Sequence, residues 1–310
     1  GRNAGSLHGQ IQHAPFVERG DDWARGFLPS LQFLVDSLEI WSGLATLLDV
    51  DLEVSLNGGL LVAETEEQMR DIERKVAIER SAGVESEILG PSDLQRFAPY
   101  ISDSMLGAQL CYLEGTANPL VAAPAFAKAA QGLGARVLTN TRVQGLDRSG
   151  GRFIAATDIG EVSAERVVLA AGNDMNRFSN LWGKPLPIVD EPVQVGVTEP
   201  LTPWVHNLVY FAGGKLSFKQ AKAGTLVIGG GWAADVDTVS GVPRVSPYSL
   251  SANMEVALRL VPELAGVRLI RTWAGIGLAT PDLAPIIGGL GVTGLIVGVY
   301  PWMGLTAGPL

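Results

Sequence analysis

Few residues of this 310-residue chain have the types and spacing of a catalytic motif, and glycines dominate those that do. A literal G-x-G-x-x-G runs over residues 289–294. Binding of a dinucleotide pyrophosphate needs a strand before this motif and a helix after it. Here the apolar run at 295–297 predicts a strand after the motif, so we interpret the motif as a loop. The sequence holds no G-x-S-x-G and no Walker A motif, so hydrolase and NTPase chemistry have no motif support.

The side chains that bind metals or nucleic acids are also sparse. His8, His13 and His206 lack the spacing of a metal site such as H-E-x-x-H. The single cysteine, Cys111, excludes an intrachain disulfide framework and a multi-cysteine metal site. The 32 acidic and 23 basic residues give a net charge of −9, which argues against nucleic acid as a partner. We therefore expect no metal site and no nucleic-acid partner.

Four segments rich in small residues could let a ligand approach the backbone, and each has an ordinary structural alternative. The run at 167–172 (VVLAAG) is a buried strand whose small residues fit ordinary packing equally well. Three glycines before Trp232 suggest either close approach or a β-bulge. Residues 2–8 are either a frayed terminus or an internal loop. The Gly-rich segment at 298–309 is either a surface loop or a set of amides that bind an electron-rich oxygen.

These segments must be positioned by helices and strands that the sequence also predicts. Leucine and tryptophan spacing predicts an amphipathic helix over about 29–48. Thr65 begins a capping box that predicts a helix to about Arg80. Asn118 and Pro119 can begin an Ala-rich helix over 119–133 that Gly134 ends. The other predicted elements are a short helix from Ser92, a helix over 249–260, and strands over 135–139, 141–146, 153–157, 166–171, 193–198, 216–219, 225–229, 269–278 and 295–300.

Two tight turns and the order of elements predict the architecture. Asn57-Gly58-Gly59 predicts a hairpin between strands at 52–56 and 60–63, and Gly150-Gly151 predicts a second turn. Alternating helix and strand over 119–172 indicates a layered α/β part, whereas the strand runs at 52–63 and 193–229 indicate an antiparallel part. The fold class is therefore α/β with α+β character, in two interleaved domains.

The uncharged stretch at 283–310 is long enough to span a bilayer, but its glycines and prolines oppose a continuous helix. We interpret it as a buried strand and loop, which makes a membrane partner unexpected. The opening residues lack the apolar region of a signal peptide, and cytoplasmic localisation is the default expectation.

Taken together and in order, these segments resemble the FAD-dependent D-amino-acid oxidase superfamily. The branch that they resemble contains glycine oxidase, the sarcosine oxidase β subunit, opine oxidase and hydrogen cyanide synthase subunits. The resemblance covers nearly the whole chain and rests on several short motifs. They are RNAGSLH at 2–8, GLLVA at 59–63, residues 115–119 with the helix that follows, TRV at 141–143, VVLAAG at 167–172, IGGGW at 228–232, and WAG, TPD and PIIG at 273–275, 280–282 and 285–288.

The resemblance implies a Rossmann-like FAD-binding domain interleaved with an antiparallel-sheet substrate domain. The FAD-binding domain would comprise 1–50, 115–190 and 265–310, and the substrate domain 51–114 and 191–264. The family's G-x-G-x-x-G head would lie upstream of Gly1 and its C-terminal helix beyond Leu310, so we expect the sequence to be trimmed at both ends. The resemblance implies these cofactor-binding residues: Arg2, Asn3, Ala4, Gly5, Ser6, Leu7, Val143, Ala170, Ala171, Gly172, Gly275, Gly304, Leu305 and Thr306. Cys111 does not match the position of a flavin-attached cysteine, so the expected FAD is non-covalent.

The implied reaction is hydride transfer to flavin from the C–N bond of an amino acid or N-alkyl amino acid, followed by hydrolysis of the imine. The flavin carries the chemistry, and the candidate catalytic side chains are His8 and Trp302. Some relatives hold the substrate carboxylate with an arginine where this chain has Gly277. Another anchor is then needed, and the substrate candidates are His8, Lys219, Tyr300 and Trp302, with Arg2 also considered. A dehydrogenase subunit that passes electrons to a partner or quinone, and a non-catalytic subunit, are the alternatives. Partner subunits and a homo-oligomer both remain open.

Overall fold

The computed structural model describes residues 3–310, which form a mixture of helices and strands. The helices are α1 His13–Leu48, α2 Glu66–Glu79, α3 Pro91–Phe97, α4 Pro119–Gly132, α5 Pro247–Leu260 and α6 Gly304–Ala307, with 3₁₀ turns at Arg80–Ala82, Gly172–Leu181 and Pro262–Leu264. The strands are β1 Ser6–Leu7, β2 Gly59–Ala63, β3 Ser86–Leu89, β4 Gly107–Cys111, β5 Gly115–Thr116, β6 Val143–Ser149, β7 Arg152–Thr157, β8 Gly160–Ala164, β9 Val167–Leu169, β10 Val189–Pro200, β11 Leu208–Phe211, β12 Ser217–Gln220, β13 Thr225–Gly229, β14 Asp235–Val236, β15 Pro243–Arg244, β16 Leu269–Ala279, β17 Ile286–Gly288 and β18 Leu295–Val299.

These elements form two compact units. Unit 1 comprises 1–123, 192–276 and 305–310, and unit 2 comprises 124–191 and 277–304. Both units are discontinuous in sequence, and they divide at other residues than the predicted FAD and substrate domains. The assignment of those domains to cofactor and substrate stays a prediction.

Unit 1 is built on an eight-stranded sheet of order β16-β10-β13-β12-β11-β2-β4-β3. At its centre β2 and β11 pair in parallel, with Gly59 opposite Leu208. The neighbouring pairs β2–β4, β11–β12 and β12–β13 are antiparallel. Every residue of β2, β4 and β11 is buried, so these strands do not alternate between buried and exposed positions.

The core of unit 1 lies between this sheet and the helices that cover it. Leucine, valine and phenylalanine side chains of the sheet pack with residues of α3 and α5. Thr65 caps α2 by accepting a hydrogen bond from the Gln68 amide, as the capping box predicts. Asn118 likewise accepts from the Leu120 amide at the start of α4. Gly230 has φ +122, and a Cβ there would lie 2.6 Å from the Leu216 backbone, so glycine is required by close approach within the protein.

Unit 2 contains two three-stranded sheets, β6-β7-β8 and β17-β18-β9. Gly150 and Gly151, with φ +58 and +79, form the tight turn between β6 and β7, which confirms that prediction. The G-x-G-x-x-G segment is the loop between the antiparallel strands β17 and β18 and not a nucleotide fingerprint, as expected. The core of unit 2 forms around Phe153, Met175 and Val297.

Two local predictions are wrong. Residues 52–56 do not form a hairpin with 60–63, because β2 pairs with β4 and with the distant β11 instead. In the 52–56 segment Ser55 forms an isolated bridge with Thr116. The predicted strand over 135–139 is irregular, since it follows α4 directly and lies on the surface.

Helix α1 is the longest element, with 36 residues, and it begins well before the predicted residue 29. It is kinked at Gly20, where φ is +77, and contains Pro29. By length and composition it could cross a membrane, but a single such helix near the N-terminus is weak evidence. Its buried side chains include Leu31, Leu38 and Trp41, as expected of a helix packed on a protein core.

Candidate functional site

The loop over residues 8–12 in unit 1 is held through its backbone amides by side chains from distant parts of the sequence. Strand β1 pairs with β5 and delivers the chain to the loop. The His8 amide donates to Thr306 Oγ1 at 2.9 Å, and the Gly9 amide donates to Glu114 Oε1 at 2.9 Å. The Ile11 amide donates to Glu79 Oε1 at 2.6 Å. The loop lacks regular secondary structure, so these side chains supply the hydrogen bonds that a helix or sheet would provide.

Beneath the loop lies a buried polar network. Gln10 Nε2 donates to Glu114 Oε2 at 2.7 Å, and Lys75 Nζ donates to Gln10 Oε1 at 2.9 Å and to Glu79 Oε1 at 2.7 Å. Gln109 Nε2 donates to Glu79 Oε2 at 2.7 Å. Lys75, Glu79, Gln109 and Glu114 are all 0% exposed. Such burial of charge is tolerated only where partners compensate for lost hydration, and here each charge has them.

His8 projects from the loop and contacts Tyr210 of β11. Its Nδ1 lies 2.8 Å from the Tyr210 hydroxyl and 3.4 Å from Gln12 Nε2. Burial, together with the charge of Lys219, lowers the pKa of His8 to about 3. The imidazole is therefore neutral at physiological pH.

Lys219 on β12 is 5% exposed, and its Nζ donates to Ser6 Oγ at 2.6 Å. Burial lowers the pKa of Lys219 to about 7. No carboxylate within residues 3–310 forms an ion pair with this ammonium. An ammonium has three donors, so Lys219 retains hydrogen-bonding capacity for an anionic ligand.

Glu114 is a fully buried carboxyl group whose pKa is displaced from its ordinary value. Burial raises the pKa of Glu114 to about 7, and the nearby charge of Glu79 acts in the same direction. Hydrogen bonds from Gln10 and Gly9 and the charge of Lys75 oppose that rise. Tyr210, whose hydroxyl lies 3.4 Å from Glu114 Oε1, has a pKa raised well above its ordinary value by burial. The phenol therefore stays protonated.

The C-terminal segment of unit 1 is fixed to helix α1. The Thr306 carbonyl accepts hydrogen bonds from Ser37 Oγ at 2.6 Å and from Trp41 Nε1 at 3.1 Å. Thr306 is 0% exposed and also holds the His8 amide. The segment at 305–306 and the loop at 8–12 are thus parts of one packed arrangement.

Unit 2 contains a cavity of about 560 Å³ with a different character. Its lining is mostly small or apolar: Val143, Leu146, Phe153, Ala155, Val162, Ala164, Val167, Val168, Leu169, Ala170, Ala171 and Phe178, with Arg142, Asp174 and Arg177. Ala170 is exposed, and a Cβ added at the adjacent Gly172 would meet nothing within 4 Å. These small residues leave main-chain groups open to a flat ligand.

The aromatic candidates lie in unit 2. Trp302 has φ +56 and is 41% exposed. A Cβ built on Gly277 would lie 3.9 Å from its ring and 3.3 Å from the Glu191 carbonyl oxygen. Tyr300 packs beside Gly298 and Gly304. A larger side chain at position 277 would therefore press on the Glu191 backbone.

Some predicted site residues are brought together and others are not. Unit 1 places Ser6, His8, Lys219 and Thr306 in one hydrogen-bonded region, and unit 2 places Val143, Ala170 and Ala171 around one cavity. In the opening segment, which also contains Ala4 and Leu7, Asn3 Oδ1 accepts a hydrogen bond from the Gly5 amide. Gly275 lies in β16 of unit 1, and Leu305 begins the C-terminal segment of that unit. Arg2 lies outside the described residues. The binding roles of all these residues stay predictions.

Sequence reasoning missed Gln10, Lys75, Glu79, Glu114 and Tyr210. The one local signal was the i,i+4 spacing of Lys75 and Glu79, which ordinarily predicts an exposed ion pair. Among residues 3–310, no group of three or more His, Cys, Asp or Glu side chains could hold a metal ion.

Comparison with known proteins supports the predicted family resemblance over the whole chain. The family model described as "FAD dependent oxidoreductase" matches residues 1–310. The sarcosine oxidase subunit beta of Arthrobacter sp is 31% identical over 81% of this chain and 63% of its own length. The sarcosine oxidase subunit beta of Rhodobacter capsulatus is 27% identical over 94% of this chain and 74% of its own length. The chain thus spans roughly two thirds of these relatives.

A solved structure of similar fold is glycine oxidase from Geobacillus kaustophilus. It has a TM-score of 0.82 and 22% sequence identity, over 99% of this chain and 80% of that one. The predicted mixed α/β fold is therefore confirmed.

Proposed function

Since this chain belongs to the FAD-dependent oxidoreductase family, we propose that it oxidises the C–N bond of an amino acid or N-alkyl amino acid. The observation that carries this proposal is Lys219, a buried lysine whose described surroundings provide no anionic partner. Burial of an ammonium without a counter-ion is unfavourable, and a ligand carboxylate would supply the missing charge. Lys219 then takes the place of an arginine at position 277 as the carboxylate anchor.

The cavity in unit 2 supports the proposed FAD site. Its volume of about 560 Å³ and its small, apolar lining fit a flat aromatic group with an attached sugar. Val143 would offer its main chain to that group, and Ala170, Ala171 and Gly172 would leave room for the cofactor to contact the backbone. The cofactor supplies the two-electron acceptor when bound. We propose that it is held non-covalently.

The loop of unit 1 would hold the substrate amine. His8 is neutral, so it can form a hydrogen bond to an amine without adding a second positive charge beside Lys219. The cofactor contacts predicted for residues 3–7 and 304–306 stay proposals. The predicted roles of Trp302 and Tyr300 as substrate contacts likewise stay proposals.

An electron acceptor other than oxygen is the second candidate. Both of the similar sarcosine oxidase chains are named as subunits, which favours a partner chain that receives electrons or carries further chemistry. A non-catalytic role within such an assembly is the third candidate. We also propose that the protein is cytoplasmic.

Anaerobic reduction of the FAD-loaded protein tests the proposed reaction. Loss of the oxidised flavin absorption would be followed with glycine, sarcosine, proline, D-amino acids and opines. We expect at least one of them to bleach the flavin, and oxygen uptake then separates an oxidase from a dehydrogenase. Stoichiometric flavin with no bleaching by any amino acid would contradict the proposed substrate class, and failure to bind FAD would favour the non-catalytic role.

The role of Lys219 has a matched control three residues away. Lys219→Met should weaken binding of the reducing amino acid about 10- to 100-fold, because a buried carboxylate loses its counter-ion. Lys222 is 66% exposed and paired with Asp51, so Lys222→Met should leave binding unchanged. An equal loss for a primary amine that lacks a carboxylate would show that Lys219 does not act as the anchor.

A further inference from the structure

His8, Tyr210 and Glu114 of unit 1 form a chain of two hydrogen bonds that ends at the buried carboxyl group of Glu114. The Tyr210 hydroxyl lies 2.8 Å from His8 Nδ1 on one side and 3.4 Å from Glu114 Oε1 on the other. Among residues 3–310, both hydrogen bonds of the His8 ring involve Nδ1, so Nε2 is the ring nitrogen outside this chain of hydrogen bonds. Because the hydroxyl has one proton, it can donate toward His8 or toward Glu114, but not to both at once.

This restriction allows two arrangements of protons. In the first, Glu114 is protonated and donates to the Tyr210 oxygen, Tyr210 donates to His8 Nδ1, and Nε2 carries the ring proton. In the second, Glu114 is ionised and accepts from Tyr210, Nδ1 carries the ring proton and donates to the Tyr210 oxygen, and Nε2 has a free lone pair. The 3.4 Å hydrogen bond from Gln12 Nε2, which can only donate, is then lost. The imidazole is neutral in both arrangements, and its tautomer follows the protonation of Glu114.

We propose that His8, Tyr210 and Glu114 form a proton relay in which Glu114 is the terminal acceptor and Nε2 of His8 is the point of entry. The entry of a substrate proton rests on the proposed function, whereas the coupling of the His8 tautomer to Glu114 does not. When Nε2 takes a proton from an ammonium substrate, the Nδ1 proton passes to Tyr210 and the Tyr210 proton passes to Glu114. One proton enters, one carboxylate is neutralised, and the amine becomes neutral, as transfer of its α-hydrogen with two electrons requires.

The relay explains how a weakly basic imidazole could accept a proton. With a pKa of about 3, His8 would hold a positive charge only at a large energetic cost. Glu114, with a pKa of about 7, is a far better final position for the proton. Tyr210 stays neutral, because burial and the charge of Glu114 raise its pKa well above the ordinary value.

Charged and titratable side chains of α2, β4 and β12 lie near the relay. Lys75 and Glu79 of α2 lie near Glu114 and act on its pKa in opposite directions, since Lys75 lowers it and Glu79 raises it. Cys111 of β4 is also near, and burial keeps its thiol protonated by raising its pKa. Lys219 of β12 faces His8 and disfavours a positive imidazole. The surroundings therefore favour the neutral ring, and Glu114 and Lys219 are the two neighbouring groups that titrate near pH 7.

Nitrogen NMR of the histidine rings tests the coupling without any substrate. The chain has three histidines, so uniformly ¹⁵N-labelled protein gives a spectrum that single His→Gln variants can assign. We expect His8 to change from the Nε2–H to the Nδ1–H tautomer as the pH rises through about 7, with no imidazolium form. A His8 tautomer that is constant across this range would overturn the proposal.

Two variants interrupt the relay at different points, and a third is a matched control. Glu114→Gln cannot ionise and Tyr210→Phe removes the connecting hydroxyl, so each should fix one His8 tautomer at all pH values. Tyr100→Phe removes another buried hydroxyl of unit 1, which bonds Asn207, and should leave the tautomer change intact. A pH-dependent tautomer that persists in both relay variants would contradict the proposal.

Infrared spectroscopy covers the case in which a variant does not fold. In the unsubstituted protein the carbonyl band of a buried protonated carboxyl group should disappear with the same pH midpoint as the tautomer change. Two clearly different midpoints would overturn the relay.

Kinetics separate the relay from the reaction. If the protein oxidises an amino acid, Glu114→Gln and Tyr210→Phe should slow anaerobic flavin reduction about 100-fold near neutral pH. A tautomer change without any amino-acid oxidation would leave the relay standing and refute the proposed function. Oxidation whose rate is unaffected by both variants would refute proton entry at His8.

Discussion

In unit 1 the loop over residues 8–12 is fixed by buried carboxylates and a buried ammonium, whereas in unit 2 the cavity is lined by small apolar side chains and main chain. In the loop, charges that must remain paired hold the backbone, so a single substitution there affects both the stability of the fold and the proton affinity of its neighbours. In the cavity, the shape of the lining decides which ligand binds, so a substitution there affects ligand binding more than the stability of the fold. Substitutions in both regions test this contrast.

The largest effect is expected from Lys75→Met. The variant leaves the Glu79 carboxylate 0% exposed and without its cation, which should lower the free energy of unfolding by about 3–5 kcal/mol. Urea unfolding followed by circular dichroism measures the loss. The exposed pair Arg96–Asp93 is the control, and Arg96→Met should cost less than about 1 kcal/mol.

A second substitution sharpens the same test. Glu79→Gln combined with Lys75→Met removes the unpaired charge but keeps an acceptor for the Ile11 amide, so it should recover much of the lost stability. Equal losses in the single and double variants would mean that packing of the lysine chain, and not its charge, stabilises the loop.

The next effect concerns the pH dependence of stability. Burial lowers the pKa of Lys219 to about 7, so the unfolded chain binds a proton here at a higher pH than the folded chain. The stability associated with neutral Lys219 is therefore complete above about pH 10.5 and is lost as the pH falls toward 7. Relative to Lys219→Met, the unsubstituted protein should gain on the order of several kcal/mol as the pH rises through this window.

Urea titrations at several pH values between 7 and 11 measure this gain. Lys222→Met is the control, because Lys222 is exposed and its pKa is raised rather than lowered by Asp51. A parallel gain for Lys219→Met and Lys222→Met would show that the general alkaline response of the protein, and not burial of Lys219, is being measured.

A smaller effect is expected in the cavity of unit 2. Ala170 is exposed and lines the cavity, so Ala170→Leu should fill part of it without disturbing the core. We expect FAD affinity to fall about tenfold, which corresponds to about 1.4 kcal/mol, while the urea midpoint stays unchanged. Ala135→Leu, at an exposed position outside the cavity lining, should change neither quantity. A lower urea midpoint for Ala170→Leu alone would contradict the contrast between the units.

The smallest effect is expected where a neutral side chain holds the loop. Thr306→Val keeps the shape but removes the acceptor of the His8 amide, and should cost about 1 kcal/mol in unfolding free energy. Thr46→Val, at an exposed position of α1, is the matched substitution and should cost less. A loss of unfolding free energy as large as that of Lys75→Met would show that the neutral Thr306 stabilises the loop as strongly as the charged residues do.

Local signals in the sequence predicted local structure well. The cap at Thr65 and the Gly150-Gly151 turn depend on residues within four positions of each other, and both are confirmed. Strands β4 and β11 were missed because they are short, fully buried runs without alternation. The Asn57-Gly58 hairpin was wrong for a related reason, since a turn signal does not reveal that a distant strand competes for the same edge.

Some residues of the candidate site were also indicated by the sequence, and others were found only from the structure. His8 and Lys219 were identified through resemblance to a family, and the small residues at 170–172 through their composition as well. The structure shows which of them share a region. Glu114 and Tyr210 carry no motif, and they matter because the sheet places them beside His8. Lys75 and Glu79 have the spacing of a surface pair, and only burial by α1 and the sheet gives them another role.

The parallel pairing of β2 with β11 also constrains the order of events during synthesis. Strand β4 follows β2 closely in sequence and can pair with it early, but the β2–β11 edge joins regions about 150 residues apart, as the Asn57–Asn207 hydrogen bond shows. At translation rates of about 5–20 residues per second, the β11 edge of β2 stays unpaired for roughly 7–30 seconds. An unpaired apolar edge is a template for aggregation, so the nascent chain should depend on chaperones most strongly between the emergence of residues 63 and 211.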